Sequence, residues 1–129
     1  MKTLVFISFL YIFNIQSDIV KVSYYGTNHH GKNTASGEKF NMYGLTAAHK
    51  TLPFGTMVEI TNMNNCKSVI VKINDRGPYT KNRTFDLSKQ AFKNIANIKK
   101  GVLTVTFKII KNEKKKTTQG LFRRDGTGW

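Results

Sequence analysis

The sequence predicts a mainly β fold, either a small barrel or a sandwich, and three observations support this prediction. Several short segments alternate β-branched or aromatic residues with polar ones, which is the pattern of strands with one buried face. Turn residues separate these segments at short intervals. Only one segment has the apolar spacing of a helix. Many short strands with frequent turns are typical of small all-β barrels and sandwiches.

Four strands are predicted from the alternation alone. They cover residues 19–25, 57–62, 68–74 and 102–110. The last of them shows the clearest alternation, at Leu103, Val105, Phe107 and Ile109. The intervening turns contain Gly26, Gly31, Gly37, Gly44, residues 53–55, residues 62–65 and the pair Gly77-Pro78.

One helix is predicted over residues 89–96, with Ser88 as its N-cap. Its apolar stripe consists of Leu87, Ala91, Phe92 and Ile95. We expect this stripe to pack against the core.

The first 17 residues have the composition of an export signal. Lys2 precedes an apolar run over residues 4–15, which is shorter than the roughly 20 residues of a membrane span. We expect cleavage near Ser17, and an uncleaved N-terminal anchor is the alternative. Residues 18–110 then form one domain, and residues 111–129 form a basic, solvated tail. Since no cysteine lies near residue 17, we expect an exported protein without a lipid anchor.

The net charge of +14 is spread over the predicted domain. Residues 18–110 contain 14 basic and 5 acidic residues, a net charge of +9. For an exported protein this charge favours anionic wall polymers, anionic lipid headgroups or acidic saccharides as partners, whereas nucleic acid is not expected outside the cell. A lysine-rich composition without function is the alternative. The single cysteine, Cys66, excludes an intrachain disulfide.

The segment Asn74-Asp-Arg-Gly-Pro78 ends the third predicted strand. It places the carboxyl group of Asp75 where the strand stops and a turn begins, so that Asp75 can face an open groove beside Arg76. A direct salt bridge between Asp75 and Arg76, with a purely structural role, is the alternative.

Two further segments, Thr34-Ala-Ser-Gly-Glu38 and residues 45–55 (LTAAHKTLPFG), accompany this motif in the same order along the chain. Together the three segments resemble the rare lipoprotein A family, and the resemblance covers about residues 22–110. It implies a six-stranded double-psi β-barrel with one or two short helices. It also implies a lytic transglycosylase that acts on the glycan strands of bacterial peptidoglycan.

The resemblance also implies roles for three residues. Asp75 would protonate the oxygen between N-acetylmuramic acid and N-acetylglucosamine, and the muramoyl C6 hydroxyl would close onto C1 to give a 1,6-anhydro end. Glu38 would act as a base or stabilise the oxocarbenium-like transition state, and His49 would orient the sugar. We expect no metal or other cofactor, and we expect a monomer.

The other acidic residues before the tail are weaker candidates for the acid. Asp18 lies at the expected new N-terminus, and Glu59 alternates outward from its apolar neighbours. Asp86 is expected to have a structural role near the helix start, where negative charge is favoured. A metal site at His29 and His30 is not expected, because no cysteine or carboxylate lies at ligand spacing.

Substrate contacts are predicted at Tyr79, Arg76, Thr34 and Tyr25. Tyr79 is the preferred sugar-stacking residue because it follows the Asp75 turn directly. Two alternatives to a lytic enzyme stay open. One is a non-catalytic, expansin-like wall-binding module, against which the presence of both Glu38 and Asp75 argues; the other is an inverting glycosidase.

Overall fold

Six β-strands close into a barrel in the computed structural model, which describes residues 18–112. The elements in chain order are β1 (Ile19–Tyr24), β2 (Thr46–Ala48), β3 (Thr56–Asn62), β4 (Ser68–Asp75), β5 (Phe85–Leu87), α1 (Lys89–Ile95) and β6 (Leu103–Asn112). Two 3₁₀ turns, Thr27–His29 and Ile98–Lys100, complete the regular structure of this part of the chain. The mainly β prediction with six strands and short helices is confirmed.

The strand order around the barrel is β1-β5-β2-β4-β3-β6. β1 pairs in parallel with β5, and β2 with β4, while the other four neighbouring pairs are antiparallel. This topology is consistent with the predicted double-psi β-barrel. The register places Ser23, Asp86, Ala48 and Asp75 in one row across four adjacent strands.

The barrel core contains the inward-facing residues that the alternation predicts. Val58 and Ile60 on β3 and Val71 and Ile73 on β4 are fully buried. Helix α1 covers one end of the core with Ala91, Phe92 and Ile95, as the apolar stripe predicts. Ser88 is the N-cap, and its hydroxyl accepts a hydrogen bond from the backbone N–H of Ala91 at 3.2 Å.

Two strands escape the sequence analysis because they are only three residues long. β2 and β5 are too short to show an alternation, although each pairs with a neighbouring strand on both sides. Asp86 consequently lies in β5, two residues before the N-cap Ser88, and its carboxylate accepts a hydrogen bond from Ser23 Oγ at 2.5 Å. This bond gives Asp86 a structural contact with β1, and its expected role at the helix start stays a prediction.

β6 continues to Asn112, two residues past the predicted end of the domain at residue 110. The predicted export signal, residues 1–17, and the rest of the predicted tail, residues 113–129, lie outside the described residues. Between residues 18 and 112 no helix has both the length and the apolar character needed to cross a membrane.

Candidate active site

Asp75 ends β4 and accepts three hydrogen bonds through its half-buried carboxyl group. The backbone N–H groups of Ala35 and Arg76 both donate to Oδ1 at 2.9 Å. The hydroxyl of Tyr25 donates to Oδ2 at 2.6 Å. The carboxyl group is thus fixed in position by two distant segments of the chain and by the residue that follows it.

Arg76 does not form the salt bridge with Asp75 that the sequence left open as an alternative. Its Nη1 donates to the carbonyl oxygens of Leu52 at 2.8 Å and His49 at 3.3 Å, and its guanidinium carbon lies 4.0 Å from the centre of the Phe54 ring. Among the described side chains, residues 18–110, the ion pair between Lys72 and Glu38 is the only one. Arg76 therefore ties the turn after β2 to the end of β4, and its predicted substrate contact stays a prediction.

His49 directly follows β2 and lies beside Asp75 in the barrel. Its backbone N–H donates to the carbonyl of Asp75 at 3.2 Å. Its Nδ1 accepts the backbone N–H groups of Thr51 at 3.1 Å and Leu52 at 2.9 Å. Because Nδ1 accepts twice, the proton of the neutral ring is carried by Nε2. Burial, followed by the positive charges of Arg76 and Lys50, lowers the pKa of His49 below its usual value of 6.5.

Glu38 has a different set of partners. Lys72 Nζ donates to Oε1 at 2.9 Å, and the Asn74 side-chain amide donates to Oε2 at 3.3 Å. These bonds lower the pKa of Glu38 below its usual range. Lys72 and Asn74 share one face of β4 because they are two residues apart. The side chains of the consecutive residues Asn74 and Asp75 therefore leave the strand on different sides.

The loop over residues 34–38 brings Glu38 and Asp75 to the same end of β4. The N–H of Ser36 donates to the carbonyl of Asn74 at 3.2 Å, next to the bond from Ala35 to Asp75. Thr34 is buried, and its hydroxyl lies 2.7 Å from the carbonyl of Glu38 and 2.9 Å from Ser36 Oγ. This geometry gives Thr34 a role in shaping the loop, and its substrate contact stays a prediction.

Tyr25 packs its ring against Phe40 and His29, with ring centres 4.8 and 5.3 Å away. Burial and then the hydrogen bond to Asp75 raise the pKa of the Tyr25 hydroxyl well above its usual value, so the hydroxyl keeps its proton. The structure therefore brings the Tyr25 hydroxyl to Asp75 rather than to open solvent.

Tyr79 is the most exposed predicted contact, with 83% of its surface accessible. It follows Gly77, whose φ of +119° is rarely adopted by residues with a side chain. The turn after Asp75 thus requires glycine and presents an aromatic ring to solvent.

The sequence analysis missed two kinds of site residue. The first is Lys72, whose place on the same strand face as Asn74 is the one signal that could have found it. The second is the backbone N–H of Ala35, which carries no side-chain signal at all. Within residues 18–112 no three side chains of His, Cys, Asp or Glu form a metal-binding group.

Comparison with known proteins agrees with this geometry. A protein-family model described as a lytic transglycolase matches residues 18–107. The chain belongs to this family. The match spans the whole described barrel except the end of β6, and it includes all the candidate residues discussed above.

Relatives within the family are much longer than the match. A probable endolytic peptidoglycan transglycosylase RlpA of Synechocystis is 52% identical over 88 residues, which are 68% of this chain and 27% of the relative. An endolytic peptidoglycan transglycosylase RlpA of Helicobacter pylori is 52% identical over 83 residues, covering 64% of this chain and 26% of the relative. The matched region thus spans about a quarter of the length of these relatives.

Solved structures share the family's fold at lower identity. The Streptomyces papain inhibitor has a TM-score of 0.60 at 24% identity and covers 73% of this chain and 94% of its own. An expansin of Clavibacter michiganensis in complex with cellohexaose has a TM-score of 0.58 at 13% identity, covering 72% of this chain and 50% of its own. Both comparisons support the barrel fold.

Proposed function

We propose that this protein is an endolytic lytic transglycosylase that cleaves the bond between N-acetylmuramic acid and N-acetylglucosamine in peptidoglycan, as part of wall remodelling or daughter-cell separation. The relatives' names support the reaction and substrate class. The observation that carries the proposal in this chain is the carboxyl group of Asp75, held at the end of β4 by Ala35, Arg76 and Tyr25.

Asp75 is the proposed general acid. It donates its proton to the bridging oxygen as the bond from that oxygen to the muramoyl C1 breaks. Because a hydroxyl can donate to a carboxylate and accept from a carboxylic acid, the bond from Tyr25 to Oδ2 serves both protonation states. Tyr25 therefore holds Asp75 in place before and after proton transfer.

The muramoyl C6 hydroxyl then attacks C1 and closes the 1,6-anhydro ring. The proton of this hydroxyl passes to Glu38 if Glu38 is the base. It passes back to the carboxylate of Asp75 if Glu38 only stabilises the transition state. No water is consumed in either case. Glu38 stays ionised because Lys72 and Asn74 favour its charged form. It is therefore suited to the proposed part of base or electrostatic stabiliser and unsuited to that of acid.

His49 and Tyr79 are proposed to hold the sugar. With Nδ1 accepting from the backbone, His49 offers only an N–H donor at Nε2. Tyr79 offers an exposed ring face for stacking on a sugar ring. We further propose that the chain acts outside the cytoplasm, is not lipid-anchored and needs no cofactor.

The direct test is replacement of Asp75 by Asn, with Asp18→Asn as a matched control at an exposed position. We expect Asp75→Asn to fold normally and to lose at least ~10²-fold in the rate of glycan cleavage, the usual scale for a positioned acid. Asp18→Asn is expected to cleave at the wild-type rate. Cleavage by Asp75→Asn within a few-fold of wild type, with an unchanged circular dichroism spectrum, would refute the assignment.

The expansin-like alternative is a barrel of the same fold that binds wall glycan without cleaving it. The exposed Tyr79 ring would suit such a module equally well. A binding module has no need of a carboxyl group fixed by three donors, which is why we favour the enzyme. Glycan binding by wild type without any cleavage product would decide for the module.

A further inference from the structure

A concave surface lies on the outer side of the barrel, and Lys50, which follows His49, is part of it. It is a pocket of about 480 Å³ formed by β1, β6, the segment just before β5 and Lys50 after β2. Its polar lining residues are Lys21, Lys50, Asn82, Arg83, Thr84 and Thr104. The pairing of Lys21 with Thr104, and the bond from the N–H of Thr84 to the carbonyl of Lys21, place three of these residues side by side. None of the functions proposed above uses this pocket.

The pocket is strongly cationic. Lys21, Lys50 and Arg83 line it, and no carboxylate does. The one ion pair among the described residues, Lys72 with Glu38, lies elsewhere, so none of the three cations is paired with an acidic residue of this part of the chain. Three cationic residues that line one pocket without an anion favour an anionic ligand.

Arg83 is held rigidly in this surface. Its Nη1 donates to Ser23 Oγ at 2.8 Å and its Nη2 to Thr80 Oγ1 at 2.5 Å. Ser23 in turn donates to Asp86 at 2.5 Å. The carboxylate of this network, Asp86, is therefore bonded by Ser23 and not by Arg83. The bond from Arg83 to Thr80 fixes the loop that contains Tyr79 and Asn82.

The pocket adjoins the site of the proposed cleavage. Lys50 follows His49, whose ring packs against Phe85 with centres 4.9 Å apart. Asp86 lies in the same row as Asp75, two strands away. Thr84 is two residues before Asp86, so strand geometry places Thr84 and Asp75 on the order of 10 Å apart. A polymer bound at Asp75 can therefore reach the pocket with a neighbouring substituent.

We propose that this pocket, which we call the Lys21–Lys50 pocket, binds a carboxylate carried by the same glycan strand that is cleaved at Asp75. The inference rests on the proposed function, since it takes the strand as the substrate. Muramic acid offers carboxylates from two sources. One is its own lactyl group when the strand is free of peptide, and the other is the stem peptide attached to that group. Lys21 and Lys50 pair with the carboxylate, and Asn82 and Thr84 supply hydrogen bonds.

The test is a double-mutant cycle between protein and ligand, read as binding by the full chain with Asp75→Asn added to prevent turnover. The protein arm replaces Lys21 and Lys50 by Gln, singly and together. The matched control replaces Lys67 and Lys99, which are exposed outside the pocket, by Gln. The ligand arm uses soluble peptide-free strands, the same strands with their lactyl carboxylates converted to methylamides, and strands with intact stem peptides.

We expect the Lys21→Gln, Lys50→Gln pair to weaken binding of a carboxylate-bearing strand by about 10-fold, the upper scale of two exposed charge contacts. Binding of the strand that lacks the recognised carboxylate should be weak already and unchanged by the pair. An effect confined to peptide-free strands identifies the lactyl group, and one confined to peptide-bearing strands identifies the stem peptide. Because Lys50 adjoins His49, Lys21→Gln alone must show part of the loss.

Equal losses in the pocket pair and in the Lys67, Lys99 control would overturn the proposal, since general charge would then explain binding. A loss that persists on methylamide strands, or no binding to any strand, would also overturn it. If wild type shows carboxylate-dependent binding but releases no cleavage product, the proposed reaction fails while the pocket assignment stands.

Discussion

Asp75 and Glu38 lie near the same end of β4, yet their surroundings suit different tasks. The partners of Glu38 are a lysine ammonium and an amide, both of which favour the anion. Two partners of Asp75 are backbone N–H groups at Oδ1, and the third is a hydroxyl at Oδ2, which can reverse its hydrogen bond when the carboxyl group gains a proton. The difference between the partners supports the proposed assignment of acid to Asp75 and of anion to Glu38.

Removal of the Tyr25 hydroxyl tests the assignment of Asp75 as the acid. Tyr25→Phe keeps the ring packed against Phe40 and removes only the hydroxyl that bonds Asp75. We expect kcat to fall by about 10-fold with little change in KM, because the hydrogen bond that stabilises the carboxylate forming on Asp75 as it gives up its proton is lost. The measurement is steady-state cleavage of soluble glycan strands.

The sequence analysis assigned Tyr25 to substrate binding, and the same kinetics separate that role from positioning. A rise in KM with unchanged kcat would show that the hydroxyl serves the substrate. Tyr79→Phe is the matched control, since it removes a hydroxyl from an exposed ring and keeps the stacking face.

At the scale of elements, three segments converge on the end of β4: the loop over residues 34–38, the turn over residues 49–54 and the end of β1. The turn over residues 49–54 is held by the bonds of His49 Nδ1 to Thr51 and Leu52 and by the bonds of Arg76 to its carbonyls. We call these four bonds the clamp. The clamp couples the protonation of the His49 imidazole to the position of Arg76.

The clamp predicts a pH dependence of stability. The pKa of His49 is lowered in the folded state below 6.5, so the folded state binds fewer protons than the unfolded state between the two values. The stabilisation by neutral His49 is therefore complete above about pH 6.5 and is lost as pH falls through the folded-state pKa. We expect the urea midpoint of wild type to decrease between pH 7.5 and pH 5.

His49→Asn isolates this contribution, because an amide oxygen can replace Nδ1 as acceptor without titrating. The decrease of the midpoint should be smaller in His49→Asn than in wild type. His29→Asn, at an exposed position, is the control and should keep the wild-type slope. Identical slopes of the urea midpoint against pH in all three proteins would show that His49 does not cause the pH dependence.

The long strands and the helix could be predicted from the sequence because they contain enough residues for a period to be recognised. β2 and β5 could not, since three residues show no period, and their place in the barrel depends on pairing with distant strands. Of the candidate site, the motif segments identified Asp75, Glu38 and His49. The hydrogen-bond partners of Asp75 could not be predicted from the sequence, because Ala35 and Tyr25 lie 40 and 50 residues away from it along the chain and meet it only in the folded barrel.

At the scale of the whole molecule, positive charge is carried mainly by the barrel. Residues 18–110 have a net charge of +9, and residues 111–129 have 6 basic and 2 acidic residues, a net charge of +4. Exposed charges of this kind are screened over about 8 Å at physiological ionic strength. The affinity for an anionic wall should therefore reside in the barrel and depend on salt.

Removal of the tail tests this distribution. Because β6 ends at Asn112, a chain that ends there keeps every described strand intact. We expect it to retain most binding to insoluble peptidoglycan at low salt, and we expect both forms to bind more weakly at high salt. A pull-down with both proteins measures this. Loss of binding on truncation would transfer the role to the tail, and salt-independent binding would point to aromatic stacking, for example by Tyr79.

The most direct test of the proposed activity is the mass of the products released from purified peptidoglycan. Ring closure by the C6 hydroxyl gives 1,6-anhydro-N-acetylmuramic acid ends, which are lighter by one water than hydrolysed ends. We predict that wild type releases anhydro fragments of internal strand origin, and that Asp75→Asn releases none. Reducing N-acetylmuramic acid ends would identify a hydrolase, and wild-type binding without any release would contradict an enzymatic role.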